Sequence, residues 1–172
     1  DIDTMIIKEL VSNDRFERFK LFVGSDSEHF LNNLNFHEPN TSFISFLIEN
    51  AKHCFLEFVM VEGNYNCELE HSNHAWKSRK LESLLVLLRS DAPFPDGFEM
   101  KAILDAKKRE EFSKIHTSRI KLHEAIEIGN VDNIKEFIKN HPNIKYAYHP
   151  TNNKTALETS FSKSLQSTYA FL

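Results

Sequence analysis

The sequence predicts an all-α fold assembled from short helix pairs, and three observations carry that prediction. Apolar residues recur at helical rather than alternating spacing, most clearly at Leu122, Ala125 and Ile126 and again at Val131, Ile134, Phe137 and Ile138. Between the two sets stands Gly129-Asn130-Val131-Asp132, where Gly129 suits a left-handed helix end and Asn130 or Asp132 can accept the orphan amides of a following helix. Each helix is too short to be stable alone, so the two must run antiparallel and bury one face against each other. The third observation is that the same apolar template recurs along the chain.

Taken in order, the template shifted back by 115 residues falls on Ile7, Leu10, Val11, Phe16, Phe19, Phe22 and Val23. Shifted back by 79 it falls on Phe43, Phe46, Leu47, Phe55, Phe58 and Val59, with Lys52 at the seventh position. A shift of 50 gives Ala75, Trp76, Leu81, Leu84, Leu87 and Leu88, with Ser72 the exception, and places Trp76 in the core. A forward shift of 35 gives Leu157, Phe161, Tyr169 and Leu172, with Ser160 where Ala125 stood. The anchors Ile7, Phe43, Ser72, Leu122 and Leu157 are 36, 29, 50 and 35 residues apart. The wide interval leaves roughly 17 residues beyond one period. This surplus lies in residues 93–117, where Pro93, Pro95 and Gly97 punctuate a loop. Residues 98–115 are predicted as an amphipathic helix with Ile103, Leu104, Phe112 and Ile115 on one face. One elongated domain over 1–172 is expected, with repeats at 1–36, 37–67, 68–92, 118–150 and 151–172 and an insertion at 93–117. The last repeat is cut in its second helix, where Tyr169 and Leu172 should pack. The opening at Asp1 without Met reads as a piece of something longer.

A two-helix period near 33 residues occurs in ankyrin arrays, and one near 34 in tetratricopeptide arrays. The local sequence favours the former. Lys121-Leu122-His123-Glu124-Ala125 resembles the ankyrin T-P-L-H-x-A opening, keeping L-H-x-A, and Gly129-Asn130-Val131-Asp132 resembles that family's G-H-x-E turn. Lys154-Thr155-Ala156-Leu157-Glu158 is similar to the opening of a following repeat; Thr41-Ser42-Phe43 is a fainter version, and Glu62-Gly63 resembles the close of a second helix. The resemblance is best over 118–172 and implies a solenoid of about five degenerate ankyrin repeats with a helical insertion. It also implies that His123 ties its repeat to the neighbouring turn by hydrogen bonds.

Other functional classes find little footing. The net charge is −4, and Lys107-Lys108-Arg109 is followed at once by Glu110-Glu111, so the basic stripe of a nucleic-acid binder is missing. No direct membrane contact is expected either. Two cysteines, Cys54 and Cys67, are too few for a disulfide scaffold, and a reducing, cytoplasmic setting is expected. Cys54, Cys67, His71 and His74 lack the close cysteine pair of a structural zinc site. His53 and Cys54 are adjacent and would not face each other on a helix. With 4 Gly in all and no nucleophile elbow or P-loop, neither catalysis nor a cofactor or metal is expected.

The ankyrin resemblance implies binding of a partner protein or peptide on the concave face of the repeats. By template, the contact candidates are Lys8, Glu9, Lys77, Glu124 and Glu127 on first helices, with His149, Asn152 and Asn153 at a finger tip. A second finger tip is expected at residues 37–41. The alternative is a non-catalytic arm or targeting region of a larger protein, such as a channel, an enzyme or a microbial effector.

Overall fold

The computed structural model describes residues 2–24, 30–31, 42–62, 67–140 and 147–162. Among them the chain is all-helical, and the β pairing is one isolated antiparallel bridge, Tyr148 to Thr155. The helices are α1 (Ile2–Ser12), α2 (Phe16–Val23), α3 (Phe43–Glu49), α4 (His53–Glu62), α5 (Leu69–Lys77), α6 (Leu81–Arg89), α7 (Ala106–Ile128), α8 (Val131–Asn140) and α9 (Ala156–Ser162). A 3-10 turn, Met100–Ala102, precedes α7. The chain divides into two compact units, residues 1–87 and 88–172.

Four turns of one design make the helix pairs α1/α2, α3/α4, α5/α6 and α7/α8. Each contains a single left-handed residue: Asp14 (φ 53°), Ala51 (54°), Arg79 (57°) and Gly129 (74°). The next residue donates its N–H five residues back, Arg15 to Leu10, Lys52 to Leu47, Lys80 to Ala75 and Asn130 to Ala125, each at 2.9 Å. The left-handed residue itself donates to Val11, Ile48, Trp76 or Ile126 at 3.0 to 3.1 Å. These two bonds close the last carbonyls of the first helix and reverse the chain at once. Counted from the left-handed residue, the seventh position before and the fifth after have 0% exposure in every pair: Ile7 and Phe19, Ile44 and Leu56, Ser72 and Leu84, Leu122 and Ile134. Each such apolar side chain contributes about 1.5–3 kcal/mol. Ser72 is the exception in chemistry, and its hydroxyl is the buried side-chain atom without a hydrogen-bond partner among the described residues.

This register corrects the second repeat by one residue. Its left-handed residue is Ala51, one past the place the shift of 79 gives. Phe43, Leu47, Phe55 and Val59 are buried as expected, Ile44, Ile48, Leu56 and Met60 are buried beside them, and Phe46 and Phe58 are half-buried. Trp76, expected in the core, is also half-buried, with the Arg79 guanidinium 5.2 Å from its ring. In the fifth repeat the inward residues are Ala156, Thr159 and Ser160, and Phe161 is 76% exposed. Tyr169, Leu172 and the finger tip at 37–41 lie outside the described residues.

In the first unit α1 packs on α2, and α3 packs on α4 and α5. Rings of Phe16, Phe19, Phe43, Phe55 and Phe58 join the first pair to the second, with centroids as close as 5.1 Å. In the second unit α7 is the axis against which α8, α9 and the 3-10 turn pack. The amphipathic helix expected at 98–115 is present only from Ala106 on, with Ile103 and Phe112 buried as expected. Phe98 belongs to a loop, Leu104 is 89% exposed, and the helix starts at Ala106, where Asp105 Oδ1 accepts the N–H groups of Lys107 and Lys108 at 2.9 and 3.1 Å. With no Gly or Pro between Asp105 and Gly129, nothing stops it, and one helix of 23 residues runs through the segments expected as insertion and fourth repeat.

A left-handed backbone costs an L-residue roughly 1–2 kcal/mol, and glycine's freedom in the unfolded chain gives back about 0.5–1. Ala51→Gly should therefore stabilise the protein by about 0.5–1 kcal/mol, and Ala51→Val should destabilise it by more than that. Urea unfolding followed by circular dichroism reads both; a destabilising Ala51→Gly would contradict the turn described.

Candidate functional site

The inward stripe of α7 runs Phe112, Ile115, Arg119, Leu122, Ile126 at three- and four-residue intervals, so a guanidinium occupies a place where the pattern asks for an apolar side chain. Arg119 is 4% exposed. Its Nη2 donates to Leu88 O at 2.6 Å, and its Nη1 to Ala92 O at 2.6 Å and Tyr148 O at 3.2 Å. The Phe94 ring centroid lies 5.1 Å from its guanidinium carbon. Leu88 belongs to the last turn of α6, where carbonyls lack intrahelical partners and positive charge is favoured. One side chain thus ties residues 88–92 to the loop at 147–149. Burial pulls the guanidinium down to about 10, opposed by Asp91. Burial likewise pushes the Asp91 carboxyl up to about 6, against the pull of Arg119. Both residues line a cavity of about 370 Å³.

One turn further along α7, His123 is 1% exposed. Its Nε2 lies 3.1 Å from Ala147 O, which can only accept, so Nε2 carries the proton and Nδ1 receives the Thr159 hydroxyl at 2.9 Å. Burial holds this ring down to about 4, against the opposing effect of the Ala147 bond. Residues 147–156 form a β-hairpin finger: Ala156 N–H donates to Ala147 O at 3.1 Å and His149 N–H to Lys154 O at 2.8 Å. At its tip Asn152 Oδ1 accepts from Lys154 N–H, His149 Nδ1 accepts from Thr151 N–H, and Asn153 is left-handed at φ 53°. Thr155 Oγ1 then accepts from Glu158 N–H at 3.1 Å while the Glu158 carboxylate accepts from Thr155 N–H at 2.7 Å, a reciprocal cap that starts α9.

The chain matches no family model, no curated protein and no solved structure.

Of the predicted contact residues, Lys8, Glu9 and Lys77 fall in the first unit and Glu124, Glu127, His149, Asn152 and Asn153 in the second. Glu9, Lys77, Glu124, Glu127, Asn152 and Asn153 are exposed, Glu9 accepting a 2.8 Å bond from Asn13, whereas Lys8 is half-buried. His149 is half-buried, its ring edge-on to that of His123 at 4.9 Å. Pattern reading missed Arg119, Asp91 and Phe94. The available signal was an arginine on an otherwise apolar stripe.

Among the described residues three hydroxyl–imidazole pairs stand out, Ser42–His71, Thr159–His123 and, at the exposed hairpin tip, Thr151–His149, where Nδ1 takes both the Thr151 N–H at 3.2 Å and its hydroxyl at 3.0 Å. The geometry of the first two argues against a catalytic reading. His71 Nδ1 accepts from Glu68 N–H at 3.2 Å, so the neutral ring holds its proton on Nε2 and donates to Ser42 Oγ at 3.3 Å, the reverse of what a general base does. The His123–Thr159 pair has the correct donor sense, but both residues are buried and the ring is a weak base. Cys67 is buried against Met60 Sδ at 3.0 Å, and burial pushes its thiol up to about 12. His74 turns instead to Glu49 at 3.6 Å. Among the described residues no three His, Cys, Asp or Glu side chains gather as metal ligands. No described helix is long and apolar enough to cross a membrane.

Arg119→Met removes the donor for three carbonyls at once and should cost about 3–5 kcal/mol, with Arg119→Lys intermediate because an ammonium lacks the planar fork. Losses below about 1 kcal/mol for Arg119→Met in thermal or urea unfolding would rule out the tie. For His123 the native ring resists protonation to about pH 4, whereas the unfolded ring takes its proton near the ordinary value of 6.5. Its contribution is complete above 6.5 and is lost as pH falls toward 4. Asp91 has the opposite sign, its contribution being present below 3.8 and lost as pH rises through about 6. Denaturation midpoints measured across this range should fall on acidification less steeply in His123→Asn than in the unsubstituted chain, and more steeply in Asp91→Asn. Parallel curves would refute the assignment.

Proposed function

We propose that the chain is an ankyrin-type module that works by binding another protein or a peptide, without a cofactor. The observation that carries this reading is the arrangement over residues 118–162. There the L-H-x-A histidine is buried and bonded both to the base of a β-hairpin finger and to the first helix beyond it, which a Thr-x-x-Glu cap initiates. Four helix pairs closed by one left-handed turn support a repeat origin for the rest. A finger followed by a first helix is the element from which an ankyrin stack builds its contact surface. On this reading the contact candidates are Lys8, Glu9, Lys77, Glu124 and Glu127, of which Lys77 and Glu127 share the place two residues before the turn residue, with the tip residues His149, Asn152 and Asn153.

The test is affinity capture from the source cell with the full chain, followed by direct titration of the purified partner. Charge reversals Lys77→Glu and Glu127→Lys sit on exposed positions and should leave the helical circular dichroism intact. The pair should weaken capture about tenfold or more if these positions lie inside the interface. A captured set no different from that of an unrelated acidic helical protein, or indifferent to both reversals, counts against the module.

A further inference from the structure

Because the four helix pairs share one turn, their surfaces can be compared position by position. In the second pair, the positions eight before and four and seven after the left-handed residue are Phe43, Phe55 and Phe58. Their rings pack on Phe16 and Phe19 of the first pair at 5.1 to 6.3 Å. In the third pair, the positions eight and five before it are His71 and His74, which reach Ser42 Oγ and Glu49 Oε1 of the second pair at 3.3 and 3.6 Å. Within the first unit these positions therefore form the face with which a pair meets the pair before it. In the fourth pair they hold Lys121, Glu124, Asn133 and Glu136. With Ile128 and Phe137 these side chains line an open groove of about 410 Å³ between α7 and α8, built by the second unit alone. Ile128 is 81% exposed at a place that Asn13, Asn50 and Ser78 fill in the other pairs.

We propose that this groove binds an extended basic peptide segment. Two carboxylates against one ammonium leave it net negative, which favours a cationic partner. The exposed isoleucine and half-buried Phe137 supply an apolar wall beside those carboxylates. A lysine or arginine side chain matches this pairing, laying its methylene stem along the wall and its charged head at Glu124 or Glu136. The Asn133 carboxamide offers a donor and an acceptor to a peptide backbone. A second copy fits less well, because two copies meeting groove to groove bring like charge together.

The test is a titration of the isotopically labelled full chain with an acetylated, amidated Leu-Lys-Leu-Lys peptide and with its Leu-Glu-Leu-Glu counterpart, followed by amide chemical shifts. The lysine peptide should shift amides of the groove saturably and the glutamate peptide should not. Glu136→Gln and Ile128→Ser, both at exposed positions, should each weaken binding about fivefold. Equal response to both peptides, shifts away from α7 and α8, or unchanged affinity in both variants overturns the proposal. So does a concentration-dependent dimer that Ile128→Ser abolishes, which assigns the groove to a second copy. The proposal rests on reading the chain as a binding module, yet the two fail separately. Capture that ignores Lys77→Glu and Glu127→Lys strikes the module surface, while a silent titration strikes the groove.

Discussion

Every helix pair depends on one residue accepting a left-handed backbone. That conformation lets two hydrogen bonds close the first helix and aims the second back along it within three residues. In three of the four turns the residue is Asp, Ala or Arg rather than Gly, so the turns carry conformational strain that packing must offset. The offset is visible beside each turn. The fully buried positions seven before and five after lock the two helices together, and Asp14 pairs with Lys52 at 2.6 Å, so the turn of the first pair is tied to that of the second.

This explains how much of the fold was legible. Helical periodicity located the four described helix pairs, because the stripe that meets its partner must be apolar. Gly129 announced its own turn. Asp14, Ala51 and Arg79 did not, since a non-glycine left-handed residue has no marker in a single sequence. With no such marker at Ala51, the apolar positions alone fix the register of the second pair, and a shift of 79 rather than 78 fits them equally well. The insertion was misjudged for a related reason. Proline and glycine at 93–97 correctly marked a loop, but the extent of the following helix is set by the Asp105 cap and by the absence of any breaker before Gly129.

The polar centre of the second unit was less legible still. His123 was identified by its motif, and both its bonds run to the hairpin and helix that follow. Arg119 has no motif, and its role depends on three carbonyls up to 31 residues away in sequence. Nothing local specifies such partners. A leucine at this place would give a more uniform core, yet it would leave those carbonyls buried and unsatisfied. The guanidinium admits only an arrangement that brings all three to it, which favours specificity of form over bulk stability.

The unbroken helix from Ala106 to Ile128 has a mechanical consequence. At about 1.5 Å of rise per residue it is a rod some 35 Å long, and helices transmit bending stiffly when no proline or glycine interrupts them. Its outer half projects Glu110, Lys114 and other charged side chains, while its inner half holds the finger through Arg119 and His123. Both halves of the rod are anchored, the first by buried Phe112 and by Glu111 paired with Arg89 at 2.7 Å, the second by Arg119 and His123, so one unbroken helix sets the spacing between the 3-10 turn and the hairpin.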